Sequence, residues 1–389
     1  HSVTRRSLRC FRVFVAMLRI YTDTKEKTLV FGELEQECAW VARILNCDAG
    51  AVTAELIAGD ASPRKFYRIT ASPALDVQTR ILMVSPATEN NERFVLVQDV
   101  LERGGVRVPR LLRADLGLGF FLLEDLGDVT LWTALQHRHS EALYRGALDT
   151  LATLRGLPLT GVDLPIYDAT ELQRELDICP EWFFSKALGL TLDETALNTF
   201  RAFSECLVAA SVSQPQGLVH RDFHSRNLMV LGSNVSPAVI DFQDAIIGPL
   251  TYDAVSLLKD VYIVWPRERQ LEWLAFYWES LVSLDHLPAD SWAEFVRCYD
   301  LIGLQRHIKI LGVFSRLWLR DHKPSYMADI SVVVGYIEEA CALYAEAFPE
   351  IGEFWRWFEA YALPQATQAA WYKTACSTPL LSPPAKVVE

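Results

Sequence analysis

Positive charge, long apolar runs and patterned cysteines are all scarce in this sequence, and each scarcity closes off a class of function. The 37 Lys and Arg residues face 49 Asp and Glu, leaving a formal net charge of -12. Nucleic acids and anionic membranes are bound through a positive field, so neither is expected as a partner. A locally basic pocket for a phosphate-bearing ligand stays open. No uncharged apolar run approaches the roughly 18 residues that a spanning helix needs. The eight cysteines (Cys10, Cys38, Cys47, Cys179, Cys206, Cys298, Cys341 and Cys376) form no C-x-x-C pair and no Cys/His ligand spacing. That scatter predicts reduced, mostly buried thiols in a cytoplasmic protein. Asn234-Val235-Ser236 fits a glycosylation sequon, but with no convincing secretory signal it reads as chance. The first two dozen residues lack any acid before Asp23 and carry Arg5, Arg6, Arg9, Arg12 and Arg19. We expect residues 1–27 to be a leader or non-native extension, with Met17 as the natural start.

What remains is ample for a folded protein. A chain of 389 residues is long for one core, so two lobes are the default. Half of it is hydrophobic, as in globular proteins. Glu55-Leu56-Ile57-Ala58, residues 66–70 and residues 80–84 read as strands, with turn residues 59–63 breaking the first from the second. Phe94, Val97 and Leu101 stripe a helix over 89–103, which Gly104-Gly105 stops. Residues 106–112 and 120–123 complete a sheet of about five strands. Helical periodicity then dominates over 140–156, 168–187, 192–211, 250–263, 267–284, 290–320 and 328–347. One irregular stretch, 217–249, interrupts it and holds most of the polar chemistry. The tail after Tyr372 is rich in Ser, Pro and small residues and is expected to be poorly ordered.

The densest polar signal is Leu218-Val219-His220-Arg221-Asp222-Phe223-His224-Ser225-Arg226-Asn227-Leu228-Met229-Val230. Apolar residues enter and leave it, which predicts a loop between two buried strands with its polar side chains at one mouth. Ala238-Val239-Ile240 reads as a further strand that delivers Asp241. Phosphoryl transfer needs a carboxylate at the attacking hydroxyl, oxygen ligands for magnesium, and positive or dipolar groups for the transition-state charge. Asp222 fits the first role, while Asn227 and Asp241 offer hard oxygen donors. Loop Asp and Asn residues ordinarily cap helices or close turns, and a lone D-x-x-x-x-N carries no weight. Here His220, both apolar flanks and a second acid after a strand accompany it.

Those residues, with Ile240-Asp241-Phe242-Gln243-Asp244-Ala245 and Gly248-Pro249-Leu250-Thr251-Tyr252-Asp253, resemble the aminoglycoside phosphotransferase and choline kinase branch of the protein-kinase-like fold. The resemblance spans roughly residues 50 to 350. Asp60-Ala61-Ser62, Phe66-Tyr67-Arg68 and Leu304-Gln305-Arg306-His307-Ile308-Lys309 are similar, more narrowly, to bacterial kinases of the anomeric hydroxyl of N-acetylmuramic acid and N-acetylglucosamine in cell-wall recycling. The resemblance implies an α+β, bilobal protein-kinase-like fold. A small N-terminal sheet-plus-helix lobe would cover 28–127, a larger, mainly helical lobe 128–371, and a flexible tail 372–389. It implies ATP and Mg2+ as cofactors, Asp222 as catalytic base, and Asn227 and Asp241 as metal ligands. His220 and Asp253 are expected to brace the loop. Ser62 would lie in a flap over the phosphates, and Glu124 and Leu126 in a hinge that binds adenine through the main chain.

The third strand, Arg80-Ile81-Leu82-Met83-Val84, lacks the Lys usual there. Arg68 is our choice for the missing charge, ahead of Arg64 and Lys65, with Glu92 as its partner. On the acceptor side stand Asp222 and His224, with Gln243 and Asp244 either facing the sugar or closing the turn. Arg306, Lys309, Arg316 and Arg320 share a helix face. They form either a solvated stripe or, at Arg306 or Lys309, the partner of a lactyl carboxylate. Trp182, Phe183 and Trp318 either stack on the sugar or belong to the core. The implied activity is an ATP-dependent sugar 1-kinase whose partner is a small amino sugar, with the protein a cytoplasmic monomer. Two alternatives remain: a phosphotransferase for an aminoglycoside, choline or another small alcohol, and a non-catalytic pseudokinase binding module.

Overall fold

A computed structural model describes residues 34–58, 63–71, 78–137, 140–234 and 236–373. The expected leader, Ser62 with most of its flap, and nearly all of the tail lie outside those residues. The chain divides into two compact units, His1–Val95 with Arg110–Asp125, and Leu96–Pro109 with Leu126–Glu389.

The smaller unit is an antiparallel sheet of β1 (Val52–Ala58), β2 (Lys65–Ala71), β3 (Arg80–Val84), β4 (Leu111–Asp115) and β5 (Phe120–Glu124), in the order β1-β2-β3-β5-β4. A helix absent from the sequence expectations, α1 (Glu35–Leu45), covers one face. Its Trp40, Val41 and Ala42 join Val52, Tyr67, Ile69, Leu82, Phe120 and Leu122 in one buried cluster. Successive strand residues point to opposite faces. Phe121 therefore turns away from α1 and meets Phe94, which opens α2 (Asn91–Arg103), edge-on at 5.4 Å. Both faces being covered explains why β3 and β5 are continuous apolar runs.

The strand expected over 106–112 starts only at Leu111. Pro109 has no N–H for a ladder, and the Arg107 carbonyl instead accepts from the Val239 N–H at 2.7 Å, inside the larger unit. Gly119 enters β5 with φ 73, and a Cβ there would lie 2.0 Å from the Ser85 carbonyl oxygen. Only glycine fits that turn.

The larger unit is mainly helical: α3 (Ser140–Arg155), α4 (Ala169–Leu176), α5 (Glu194–Val212), α6 (Tyr252–Leu258), α7 (Arg267–Ser283), α8 (Trp292–Leu319), α9 (Ile330–Tyr344) and α10 (Pro349–Trp357). Asp168 and Asp193 cap α4 and α5 by accepting from the N–H groups of Glu171 and Ala196. The helical segment expected over 168–187 is found as α4 and, past a break at Asp177, a wider π-helical stretch, Pro180–Ala187. The buried α8 runs through the middle of this unit. A Cβ at Gly312 would stand 2.7 Å from the Cys179 backbone nitrogen, so that glycine sets how closely α8 meets the chain after α4.

Two short ladders hold the polar stretch. β6 (Gln216–Val219) pairs with β9 (Ile246–Pro249), and β7 (Leu228–Met229) with β8 (Ala238–Val239). Loops 220–227 and 240–245 thus leave paired strands side by side. They are tied together where the Ile240 N–H donates to the Asn227 carbonyl at 3.0 Å.

Candidate active site

The loop around Asp222 is held chiefly by side chains that bond its backbone. Fully buried Asp253, in the first turn of α6, accepts from the N–H groups of His220 at 2.7 Å and Arg221 at 3.0 Å. Burial raises its pKa, and those bonds and nearby cations act against that rise. His220 Nε2 meets the Ile240 carbonyl at 3.0 Å, while Nδ1 accepts from the Asp222 N–H at 3.3 Å. One neutral tautomer, protonated at Nε2, serves both bonds, so His220 is a brace. Arg221 and Asp241 have φ of 77 and 64. Left-handed backbone at such residues costs about 1–3 kcal/mol each and persists where the surroundings over-determine it.

That geometry presents Asp222 with half of its side-chain surface open. Burial raises its pKa, but Arg306, His224 and Lys309 outweigh it, and the carboxyl stays below its ordinary range. Arg306 stands 3.9 Å from it. Asn227 Nδ2 donates to the Asp222 carbonyl at 3.0 Å and faces Asp241 at 3.4 Å. Its amide oxygen is thereby turned away from both bonds. Gln243 donates to Asp241 Oδ1 at 2.7 Å, while Asp244 is exposed. Asn227 and Asp241 together make a sparse, hard oxygen set, and among the described residues no three His, Cys, Asp or Glu side chains converge as a metal cage. Magnesium suits such a site, because it keeps waters and substrate phosphates as most of its ligands. His224, beside Asp222, has its pKa lowered by burial, against the pull of Asp260 and Asp222.

Behind the loop lies a buried charge cluster that the sequence reading missed. Glu175 on α4 accepts from Arg221, Tyr167 and Lys309, the last at 2.7 Å. Burial raises the Glu175 pKa, but Lys309 and Arg221 outweigh it and hold the group below its usual range. Arg306 donates to the Arg221 carbonyl at 2.9 Å and the Tyr252 hydroxyl at 3.0 Å. The expected basic stripe therefore divides: Arg306 is buried, Lys309 is paired, and only Arg320 is exposed. A signal for Glu175 existed, since it falls in phase with Leu172 and Leu176 on the apolar side of α4.

Glu175→Gln is expected to lower kcat about 10-fold or more, since the loop loses its anchor, with the KM for ATP little changed. A depressed carboxyl pKa stabilises above the unfolded value, and that stability is lost as pH falls through the folded value. The acid limb of the unfolding curve should therefore flatten in this variant. Steady-state kinetics and urea melts across pH check both parts.

The remaining expected contacts lie elsewhere. Arg68 pairs with Asp125 at 2.7 Å, and Thr79 also donates to that carboxylate. The expected partner Glu92 is exposed at the start of α2, so Asp125 takes its place. Arg64 is buried against Ser85 and Glu89. Glu124 closes β5 with its N–H donated to the Arg110 carbonyl, and Leu126 opens the larger unit. Phe183 is core, Trp182 lies under Lys186, and Trp318 packs edge-on to Trp371.

The chain is similar to known proteins over most of its length. Residues 53–290 match the phosphotransferase enzyme family, APH. N-acetylmuramate/N-acetylglucosamine kinase of Pseudomonas aeruginosa is 37% identical over 318 residues, 81% of this chain and 90% of the relative. The protein of the same name from Neisseria meningitidis serogroup B is 35% identical, covering 75% and 86%. Among solved structures, choline kinase from Cryptosporidium parvum superposes with a TM-score of 0.58 at 10% identity, over 83% of this chain and 99% of that one. The ADP-bound aminoglycoside phosphotransferase APH(2'')-Ib gives 0.53 at 15% identity, over 78% and 98%. These two share the fold.

Proposed function

The chain belongs to the phosphotransferase enzyme family, and on that premise we propose that it transfers the γ-phosphoryl group of ATP to the anomeric hydroxyl of N-acetylmuramic acid and N-acetylglucosamine. The observation that carries the chemistry is Asp222: an ionised, half-open carboxylate on a braced loop, beside the amide of Asn227 and the carboxylate of Asp241. The choice of sugar is supported by relatives at 35–37% identity.

In this reading Asp222 accepts the proton of the sugar hydroxyl as its oxygen attacks phosphorus in line. Its lowered pKa keeps it ionised throughout the neutral range. Asn227 and Asp241 would hold Mg2+, which supplies charge neutralisation at the β- and γ-phosphates. Arg306 keeps positive charge beside Asp222. His220 and Asp253 do no chemistry; they fix where Asp222 points.

We place the work in the cytoplasm, as an early step in the reuse of cell-wall sugars. The six described cysteines are unpaired, which suits a reducing compartment. Among the described residues no helix is long and apolar enough to cross a membrane. Incubating the protein with Mg-ATP and either sugar should yield ADP and a sugar 1-phosphate resonance in ³¹P NMR. Turnover of choline or kanamycin without turnover of the acetylated sugars would discard the proposed acceptor.

A further inference from the structure

N-acetylmuramic acid carries a lactyl carboxylate and N-acetylglucosamine does not, so a protein group that senses this acid would set their order of preference. The two cations expected for that task are engaged within the fold. Lys309 is paired with Glu175 at 2.7 Å, and Arg306 bonds the Arg221 carbonyl and the Tyr252 hydroxyl. Arg226 differs from both. It is exposed, sits on the catalytic loop between Asp222 and Asn227, and lies with its guanidinium carbon 3.5 Å from the Tyr262 ring centroid. The Trp132 ring flanks it at 5.6 Å. Among the described residues, no carboxylate pairs with it within 4 Å. Asp329 acts on it from farther off, and burial pushes that carboxyl up to about 6.

We propose that Arg226, laid on Tyr262, is the group that reads the acceptor's carboxylate, pairing with it bidentately and favouring the acidic sugar over the neutral one. Stacking covers a guanidinium's face and leaves its in-plane N–H donors free, which is the geometry a carboxylate takes. The position is also prepared in advance. Buried Asp260 accepts from the Ser225 N–H at 3.0 Å and hydroxyl at 2.6 Å, and from the Tyr262 N–H at 3.0 Å. One carboxylate thus fixes both the loop that carries Arg226 and the residue whose ring it rests on. A bond from the Trp132 N–H to the Ser225 carbonyl at 2.9 Å adds the third wall. A chain of side chains leads from Arg226 back to Asp222. Tyr262 meets the His224 ring edge-on at 5.5 Å, and Asp222 acts directly on His224. His224 Nδ1 is buried with no partner among the described residues, a further polar group on the ring that meets Tyr262.

This inference rests on the sugar-kinase reading, and its test separates the two. Wild type, Arg226→Gln and Arg226→Lys would be assayed with N-acetylmuramic acid, its methyl ester and N-acetylglucosamine. A charge-assisted bidentate contact predicts that Arg226→Gln lowers the ratio of kcat/KM for the acid over its ester by about 10- to 100-fold, mostly through KM. Arg226→Lys should recover part of that ratio. Esterification should hurt wild type much more than the variant. An unchanged ratio, or an equal rise in the KM for ATP with every acceptor, would overturn the assignment while leaving the kinase intact. Wild-type protein inert toward all three sugars would overturn the underlying reading and this inference with it. Equal use of acid and ester by wild type would overturn the assignment even should a variant fold poorly.

Discussion

Asp222→Asn is expected to lower kcat by about 10²- to 10⁴-fold, the usual span for a lost general base, with ADP affinity and the unfolding transition close to wild type. The side chain is half open and makes its nearest charge contact only at 3.9 Å, so an isosteric amide leaves the loop's bonds in place. His220, Arg221 and Asn227 contact Asp253 or the backbone of residue 222, not its carboxylate. Loss of turnover with loss of ADP binding, by calorimetry, would show instead that Asp222 holds the nucleotide side together. The same carboxylate predicts the pH profile. Activity requires its ionised form, and its pKa is lowered, so kcat should stay level through neutrality and fall only below the ordinary carboxylate range. Arg306→Met removes the largest favourable charge and should move that limb to higher pH. A simple drop in rate with no shift would confine Arg306 to its bonds with Arg221 and Tyr252.

The parts of this protein that were legible in its sequence are those in which chemistry and periodicity coincide. The loop around Asp222 announced itself because polar residues were enclosed by apolar strands, and the ladders β6–β9 and β7–β8 supply that enclosure. Residues 80–84 were read to the residue, since a run buried on both faces has one interpretation between turn signals. The segment 106–112 was misread because its apolar content reports burial but not the partner. Pro109 and the bond from Val239 to Arg107 mark residues 106–109 as part of the larger unit, and only from Leu111 does the chain join the smaller unit's sheet. Charge was the least legible quantity. Arg306 and Lys309 looked like half of a solvated stripe, and a helix face alone cannot reveal the Glu175 that answers it from a segment over a hundred residues earlier. The informative sign was the reverse pattern: a single Glu on an apolar stripe, or Lys259-Asp260 closing a buried run, marks a charge with a partner elsewhere.

That sign leads to the larger stability effect. Asp300→Asn is expected to cost about 3–5 kcal/mol, the range for removing one partner of a buried ion pair. Lys259 and Asp300 are both buried, with side chains 1% and 0% exposed and 3.0 Å apart. Asp300 also accepts from Arg267 at 2.7 Å and from the Tyr344 hydroxyl. Burial raises the Asp300 pKa, but Arg267 and Lys259 outweigh it and hold it below the usual range. Its stabilisation is therefore present above the unfolded carboxyl pKa and disappears as pH falls through the folded one. Arg267 has partial access to water and keeps Glu339 at 3.0 Å, so it is not stranded by the change. Among the described residues Lys259 keeps one other carboxylate, Glu339 at 3.5 Å, and stays in the core over the Tyr299 ring with its charge poorly met. Adding Lys259→Met should restore much of the loss, because the cost lies in the orphaned ammonium rather than in the missing bond. Urea midpoints for the two single variants and the double would decide it. No recovery in the double variant would mean that Asp300 acts chiefly through Arg267 and Tyr344. Lys259 directly precedes Asp260, whose carboxylate holds Ser225 and Tyr262. A melt of this cluster should therefore carry activity down with it, in step with the fraction unfolded.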